Sequence, residues 1–250
     1  GLPVEMVFGD ITHEEDIRNA LSNCDYLIHT AASTALWPSR SSKIWTINYD
    51  AVVLLANEVA KSKIKRYVHV GSASSFGFGT KNNPGNETRP YLAARFKLDY
   101  QDSKKAAQDY LINQFQNTGL PVIILAPTFL IGEYDSAPSS GKMILAVIKH
   151  SIPGYSSGGK CFVYAGDVAE AAINALNKGQ VGESYITGGE NLSYKEYFDL
   201  ISEISNTTPI KWKIPAFLTV SMGSVMEFVS RFTHKEPMIT TGMAQIANEG

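Results

Sequence analysis

The sequence has 250 residues, of which 44% are hydrophobic and 18% charged, a balance typical of ordinary globular proteins. Its net charge is −2, and the lysines and arginines are spread along the chain, so we expect neither a nucleic-acid partner nor a membrane partner. No apolar run approaches the ~18 residues that cross a bilayer, and the two cysteines have no zinc-ligand spacing. We expect a cytoplasmic protein with a small-molecule substrate and no metal.

Predicted strands and helices alternate through the first half of the chain. Each strand is short and apolar, and residues 4–8 are the first such run. We predict strands at 4–8, 26–30, 67–70 and 121–125, and helices from 12, at 48–62 and at 100–115. This alternation is typical of a parallel sheet covered by helices on both faces, which is a doubly wound α/β fold.

The pattern loosens after residue 132. A small-residue loop at 136–140 and a Gly-, Ser- and Pro-rich stretch at 151–160 suggest a boundary between two regions. We therefore predict an α/β domain at 1–132 and a smaller mixed α/β region at 133–250, with 160–178 returning to the first domain. Within the second region we predict helices from 168, 194 and 216 and strands at 184–187 and 210–213.

Small or reactive residues follow the predicted strands. In open α/β sheets, ligands bind beyond the carboxyl ends of the strands, so these positions are candidates for a site. Thr30, Ala31 and Ala32 follow the second strand, serines follow the third within 72–75, and Pro127 follows the fourth.

Tyr100 and Lys104 stand four residues apart on a predicted helix, and this spacing places both side chains on one face. An ammonium group beside a phenol stabilises the phenolate, so we expect the tyrosine pKa to fall below its usual value of about 10. Such a phenol can exchange a proton with a carbonyl or alcohol, and a serine at a strand end can orient the same oxygen. With twelve tyrosines in the chain, the spacing alone also fits a chance pair on a solvated helix.

With these features, the sequence resembles the extended short-chain dehydrogenases/reductases, the NAD-dependent epimerase/dehydratase family, and within it the dihydroflavonol-4-reductase-like branch. The resemblance runs nearly end to end. It rests on Asn48 and on these segments: Val7-Phe8-Gly9-Asp10-Ile11, Ile28-His29-Thr30-Ala31-Ala32, Val70-Gly71-Ser72-Ala73-Ser74-Ser75-Phe76-Gly77, Tyr100-Gln101-Asp102-Ser103-Lys104 and Gly166-Asp167-Val168.

The resemblance implies a Rossmann-like, dinucleotide-binding domain at 1–132 and a mainly substrate-binding region at 133–250. It implies NAD or NADP as cofactor, and Ser72, Tyr100 and Lys104 as catalytic residues, with Ser74 as the alternative serine. The cofactor contacts it implies are Asp10, Ile11, Thr30, Ala31, Ala32, Asn48, Tyr100, Lys104 and Pro127. The substrate contacts it implies are Ser33, Trp37, Ser74, Phe76 and Leu130. Many relatives form a homodimer through the helices that match those of Asn48 and Tyr100.

Departures from the family pattern bear on which parts of the family's fold, which substrates and which reactions we expect. The glycine-rich turn that opens the family's fold has no counterpart before Gly9, so we expect the first βαβ unit and the family's last segment to be missing from this chain. Ala126 and Lys160 stand where many relatives carry arginine, which weakens the expectation of a nucleotide-sugar substrate. The 72–74 segment replaces the Thr-Asp-Glu set of the sugar dehydratases, which argues against dehydration.

Three hypotheses follow from the sequence. The first is an NAD(P)-dependent carbonyl reductase or alcohol dehydrogenase, in which Tyr100 is the general acid/base. The second is a sugar epimerase that uses the same three residues through a transient keto intermediate. The third is a non-catalytic dinucleotide-binding sensor, since a fold alone does not imply chemistry.

Overall fold

Strands and helices alternate along the chain in the computed structural model, which describes residues 4–135, 140–233 and 235–249. The predicted loop at 136–140 lies mostly outside the described residues. The strands are β1 Tyr26–His29, β2 Arg66–Val70, β3 Val122–Pro127, β4 Phe129–Ile131, β5 Gly159–Tyr164, β6 Ser184–Thr187 and β7 Glu190–Ser193. The helices are α1 Glu14–Leu21, α2 Ser42–Trp45, α3 Ala51–Lys61, α4 Asp99–Thr118, α5 Gly141–Ile148, α6 Ala165–Lys178, α7 Tyr194–Ile204, α8 Ala216–Thr233 and α9 Thr241–Ile246.

The first sheet is parallel, with the strand order β1-β2-β3-β6. Its register pairs His29 with His69 and Val70 with Leu125, so the carboxyl ends of these strands meet at one edge. Helices α1, α3 and α4 pack on one face of the sheet, and α6 packs on the other. The predicted doubly wound α/β fold is therefore confirmed.

Strand β3 shows why the sheet occupies the centre of the molecule. All six of its residues are buried, and Ile123 and Ile124 face opposite sides of the sheet. A fully buried isoleucine contributes about 1.5–3 kcal/mol relative to an exposed one, so this unbroken apolar run is stable only with helices on both sides.

The second sheet is mixed, with the order β4-β5-β7. Strand β5 pairs in parallel with β4 and antiparallel with β7, and its Phe162 stacks on Tyr197 of α7. Strand β6 belongs instead to the first sheet, where it pairs in parallel with β3. The strand predicted at 210–213 is wrong, because this segment forms only an isolated bridge between Lys213 and Tyr155.

The strand predicted at 4–8 is also wrong. These residues have no strand structure, and their side chains are exposed, with Phe8 86% exposed. A β-strand needs a neighbour to satisfy its backbone hydrogen bonds, and in the described part of the chain no strand pairs with residues 4–8. Apolar composition alone therefore does not make this run a strand.

The helix predicted at 48–62 is longer and less regular than expected. It begins at α2, passes through a π-helical turn at Thr46–Asp50, and continues as α3. A π turn inserts one extra residue and rotates the side chains that follow it, and such turns are frequent at functional sites. Here Asn48 lies within the π turn and is buried.

Among the described helices, none combines the length and apolarity needed to cross a membrane.

Candidate active site

The loop after β2 carries the first element of the site. Ser72 caps the short 3₁₀ turn Ala73–Ser75 by accepting a hydrogen bond from the backbone N–H of Ser74 at 3.2 Å. The Ser72 and Ser74 hydroxyls lie 2.8 Å apart and are hydrogen-bonded. The two serines named from the sequence therefore form one unit, in which Ser72 is the more deeply buried.

Helix α4 brings the other two predicted catalytic residues to this loop. Tyr100 lies in its first turn, with its phenol close enough to Ser72 for the serine side chain to lower the phenol pKa. Lys104 lies one turn further along, is buried, and donates from Nζ to the carbonyl oxygen of Val70 at 3.2 Å. Ser72, Tyr100 and Lys104 thus meet where the carboxyl end of β2 faces the start of α4.

Burial shifts the pKa values of this pair in opposite directions. Burial raises the pKa of Tyr100, and the Ser72 side chain lowers it in part. Burial lowers the pKa of Lys104 to about 8. The expectation that the pKa of Tyr100 falls below its usual value is therefore wrong for this structure, because desolvation of the phenolate dominates.

Asn48 positions the chain that follows β1. Its Oδ1 accepts from the backbone N–H of Ser33 at 2.8 Å, and its Nδ2 donates to the Ser33 carbonyl at 3.0 Å. The same Nδ2 lies 3.3 Å from the hydroxyl of Ser103 on α4. The side-chain amide thus joins the β1 loop to the helix of Tyr100 and Lys104, and its expected contact with a cofactor stays a prediction.

A buried polar cluster lies at the ends of β1 and β2, and sequence reasoning did not find it. The Nδ1 atoms of His29 and His69 are 3.1 Å apart, and the Tyr67 hydroxyl lies within 3.4 Å of both. Burial, followed by repulsion from Lys104, lowers the pKa of His29 to about 4, and burial lowers that of His69 far below its usual range. Both imidazoles are therefore neutral at neutral pH.

The start of α4 is fixed by a second group that the sequence did not reveal. The buried carboxylate of Asp99 accepts from Arg40 at 2.6 Å and from the backbone N–H of Ser41 at 2.6 Å. Arg40 also reaches Asp102, which accepts from the Tyr91 hydroxyl at 2.6 Å. Arg40 and Asp99 are separated by 59 positions in the sequence, so no local motif could have indicated this ion pair.

The predicted cofactor residues that lie outside the π turn and α4 fall into two groups. One group follows strands of the first sheet, and the other precedes α1. Thr30, Ala31 and Ala32 follow β1, and Thr30 and Ala31 are exposed, as a binding segment requires. Pro127 ends β3 and is buried beside β6. The others precede α1: the carboxylate of Asp10 accepts two hydrogen bonds from Thr12, which lower its pKa, and Ile11 packs on the core between sheet and helices.

The predicted substrate residues are more scattered. Ser33 is held by Asn48, and Ser74 by Ser72, so both belong to the site. Phe76 is buried and lines a cavity of about 430 Å³ with Gln108 of α4, and Ser72, Tyr100 and Lys104 do not line that cavity. The remaining two are partly buried, Trp37 in the loop before α2 and Leu130 on β4.

The residues present fit the nicotinamide and ribose half of a dinucleotide. A lysine ammonium has three N–H donors, and Val70 takes one of those on Lys104, which leaves two for ribose hydroxyls. The exposed, small side chains of Thr30 and Ala31 allow close approach to the backbone after β1. The residues present therefore fit a dinucleotide-binding α/β protein.

Residues 2–188 match the model of the NAD dependent epimerase/dehydratase family. This chain belongs to that family, and a nicotinamide dinucleotide is accordingly its cofactor.

Several protein sequences are similar to the chain at low identity. Sterol demethylase protein B of Methylococcus capsulatus is 26% identical over 255 residues, covering 100% of this chain and 76% of the relative. A Synechocystis protein provisionally named dihydroflavonol 4-reductase is 25% identical, covering 95% and 70%. The 2-alkyl-3-oxoalkanoate reductase of Shewanella oneidensis is 25% identical, covering 98% and 67%.

Among solved structures, the crystal structure of gox2253 superposes with a TM-score of 0.83 at 26% identity, covering 99% of this chain and 75% of the other.

Proposed function

We propose that this protein is a reductase or dehydrogenase that transfers hydride between a nicotinamide dinucleotide and a carbonyl or alcohol substrate. We base the proposal on three groups that meet at the carboxyl end of β2, namely the Ser72 hydroxyl, the Tyr100 phenol and the Lys104 ammonium one helical turn further along α4. A general acid, a second hydroxyl donor and a cation at one strand end are the groups that carbonyl reduction requires.

Each residue has a separate task in this proposal. The bound cofactor supplies or accepts the hydride. The Tyr100 phenol donates a proton to the carbonyl oxygen in reduction, and its raised pKa keeps it protonated at neutral pH. The Ser72 hydroxyl donates to the same oxygen and stabilises the charge that develops on it. Lys104 holds the ribose and, while protonated, stabilises the phenolate that the proton transfer leaves behind.

The three relatives described above favour reduction, whereas other relatives of the chain are named as sugar dehydratases. Two of the three relatives above are named for reductases, and the third is named for a reaction on a sterol. In addition, Ser72, Ala73 and Ser74 occupy the segment in which a sugar dehydratase carries its acid/base set. A ketone on an apolar skeleton is therefore the substrate class that we propose to test first.

The test compares Tyr100→Phe with Tyr110→Phe. Tyr110 lies on the same helix, and its hydroxyl contacts Asn57. We expect Tyr100→Phe to lower kcat for ketone reduction by about 10²–10⁴-fold, because it removes the proton donor. Tyr110→Phe should keep normal turnover. NADH and NADPH consumption is followed with a panel of ketones, 3-oxo esters and dihydroflavonols. Full turnover by Tyr100→Phe would contradict the proposal.

A further inference from the structure

Helix α8 carries its large apolar side chains on the side that faces solvent. We call this surface the α8 apolar face, and its residues are Phe217, Leu218, Met222, Val225, Phe228, Val229 and Phe232. At 100° per residue they fall within an arc of about 140°, which is one continuous stripe. Phe217 is 70% exposed and Phe232 is 71% exposed. Large contiguous apolar patches are rare on monomeric soluble proteins and mark interaction sites.

The opposite side of α8 faces the protein and is made of small and polar residues. Thr219, Gly223 and Ser230 are its buried residues. Thr219 accepts a hydrogen bond from the side chain of Asn248 at 2.9 Å, and Ser230 donates to the backbone carbonyl of Lys235. The usual distribution of side chains on a surface helix is thus inverted here.

Close packing at Gly223 fixes this orientation. A Cβ atom at Gly223 would lie 2.8 Å from the backbone of Thr240, so the helix contacts the start of α9 directly. Thr241 of α9 also donates to Glu227 at 2.7 Å and pairs with Ser224 at 3.1 Å. Turning the phenylalanines inward would break these contacts and place large side chains where only glycine fits.

Basic and aromatic residues flank both ends of the α8 apolar face. Lys211, Trp212 and Lys213 precede the helix, and all three are exposed. Arg231 and Lys235 stand at its other end and are exposed as well. Within the described residues, none of these four cations forms an ion pair with a carboxylate within 4.0 Å.

We propose that the α8 apolar face docks on the surface of a membrane that contains anionic lipids. A helix that lies in a membrane interface combines an apolar face rich in aromatic residues with lysine and arginine at its borders. Here Trp212 and the phenylalanines enter the interface, and the flanking cations meet lipid phosphates. The proposal departs from the expectation of no membrane partner, because in the structure exposed cations stand at both ends of an exposed apolar helix face.

The same charges disfavour a second copy of the chain as the partner. An antiparallel pairing of two such faces would set Lys211 and Lys213 of one copy against Arg231 and Lys235 of the other. A parallel pairing would set each cation against its own counterpart. Both arrangements bring like charges together, whereas an anionic surface attracts all four.

The experiment is vesicle co-sedimentation of the 250-residue chain. One set of vesicles is phosphatidylcholine alone, and the other is an equimolar mixture of phosphatidylcholine and phosphatidylglycerol. We expect binding to the anionic vesicles to be at least about tenfold tighter and to weaken with added salt. A protein that stays in the supernatant with the anionic vesicles would overturn the proposal.

Two variants and one matched control locate the contact. Val225→Asp/Phe228→Asp places charges on the face and should weaken binding about tenfold or more. The control, Ile173→Asp/Ile204→Asp, changes two exposed apolar residues on α6 and α7 and should bind normally. The second variant, Lys213→Glu/Lys235→Glu, should abolish the preference for anionic vesicles.

The remaining outcomes also decide the question. Circular dichroism and melting temperature confirm that each variant is folded. Equal sedimentation of Val225→Asp/Phe228→Asp and the unaltered chain would overturn the proposal. A dimer in sedimentation velocity that this variant dissociates, without vesicle binding by the unaltered chain, would assign the face to a second copy instead.

Discussion

The pKa values of Tyr100 and Lys104 are shifted mainly by one physical cause, the removal of water from around their charged forms. Burial favours the neutral phenol and, in the case of Lys104, brings the ammonium pKa down to about 8. At neutral pH the pair is therefore a phenol beside an ammonium ion. This is the protonation state that donates a proton to a carbonyl, and it suits reduction better than oxidation.

The pKa of Lys104 predicts a pH limit for reduction. Lys104 is charged below about pH 8 and neutral above it. In the proposed mechanism the ammonium holds the ribose and stabilises the phenolate, so we expect kcat/KM for ketone reduction to fall as the pH rises through about 8. Lys104→Met should lower kcat by about 10²-fold and remove this limb of the profile.

Lys105→Met is the matched control for the pH profile, since Lys105 is the next residue on α4 and pairs with Asp109. It should leave the profile unchanged. An alkaline limb that persists in Lys104→Met would assign the limb to another group.

Sequence reasoning could name the residues of the site but not their electrostatics. Tyr100 and Lys104 can be named because a four-residue spacing on a helix is a local pattern, whereas the choice of Ser72 among the serines after β2 came from the resemblance to the family. The pKa shifts depend on how much protein covers each group, which only the tertiary structure shows. The contact between His29 and His69 depends on strand register, which is equally invisible in the sequence.

At the scale of elements, periodicity predicted the long helices and the central strands. The prediction failed at 4–8, where an apolar run lacks a partner strand among the described residues, and at 210–213. It also missed the π turn that contains Asn48, because no local sequence signal distinguishes it from an ordinary helix.

Because Asn48 links the β1 loop to α4, we expect its substitution to affect both the stability of the fold and the binding of the dinucleotide. Asn48→Ala leaves the partly buried backbone groups of Ser33 without their partner, so the free energy of unfolding should fall by about 1–3 kcal/mol. Because the β1 loop loses its link to α4, the dinucleotide Kd should also rise, by about tenfold.

Denaturant unfolding and a nucleotide titration measure the two effects of Asn48→Ala. The control is Asn57→Ala, because Asn57 is exposed on the adjoining α3. It should change the free energy of unfolding by less than about 0.5 kcal/mol. A loss of stability without any change in nucleotide affinity would contradict a positioning role for Asn48.

At the scale of the whole molecule, the sequence predicted two regions, and their boundaries at 132 and 133 stay a prediction. The chain moves from the first sheet to the second after β3, returns to the first sheet at β6 and leaves it again at β7. Long-range pairing of this kind depends on the three-dimensional path of the chain. The homodimer through the helices of Asn48 and Tyr100 likewise stays a prediction.

The most direct test of the central claim is the transfer of deuterium from NADH or NADPH labelled at C4 of the nicotinamide to a ketone. Both labelled faces of the nicotinamide are tested, and mass spectrometry follows the product. The account predicts an alcohol that carries deuterium at the former carbonyl carbon, and a loss of this product in Tyr100→Phe. Bound nucleotide without any transfer of label, with every ketone tried, would contradict the account and favour a sensor. Isomerisation of a sugar without net oxidation of the nucleotide would identify an epimerase.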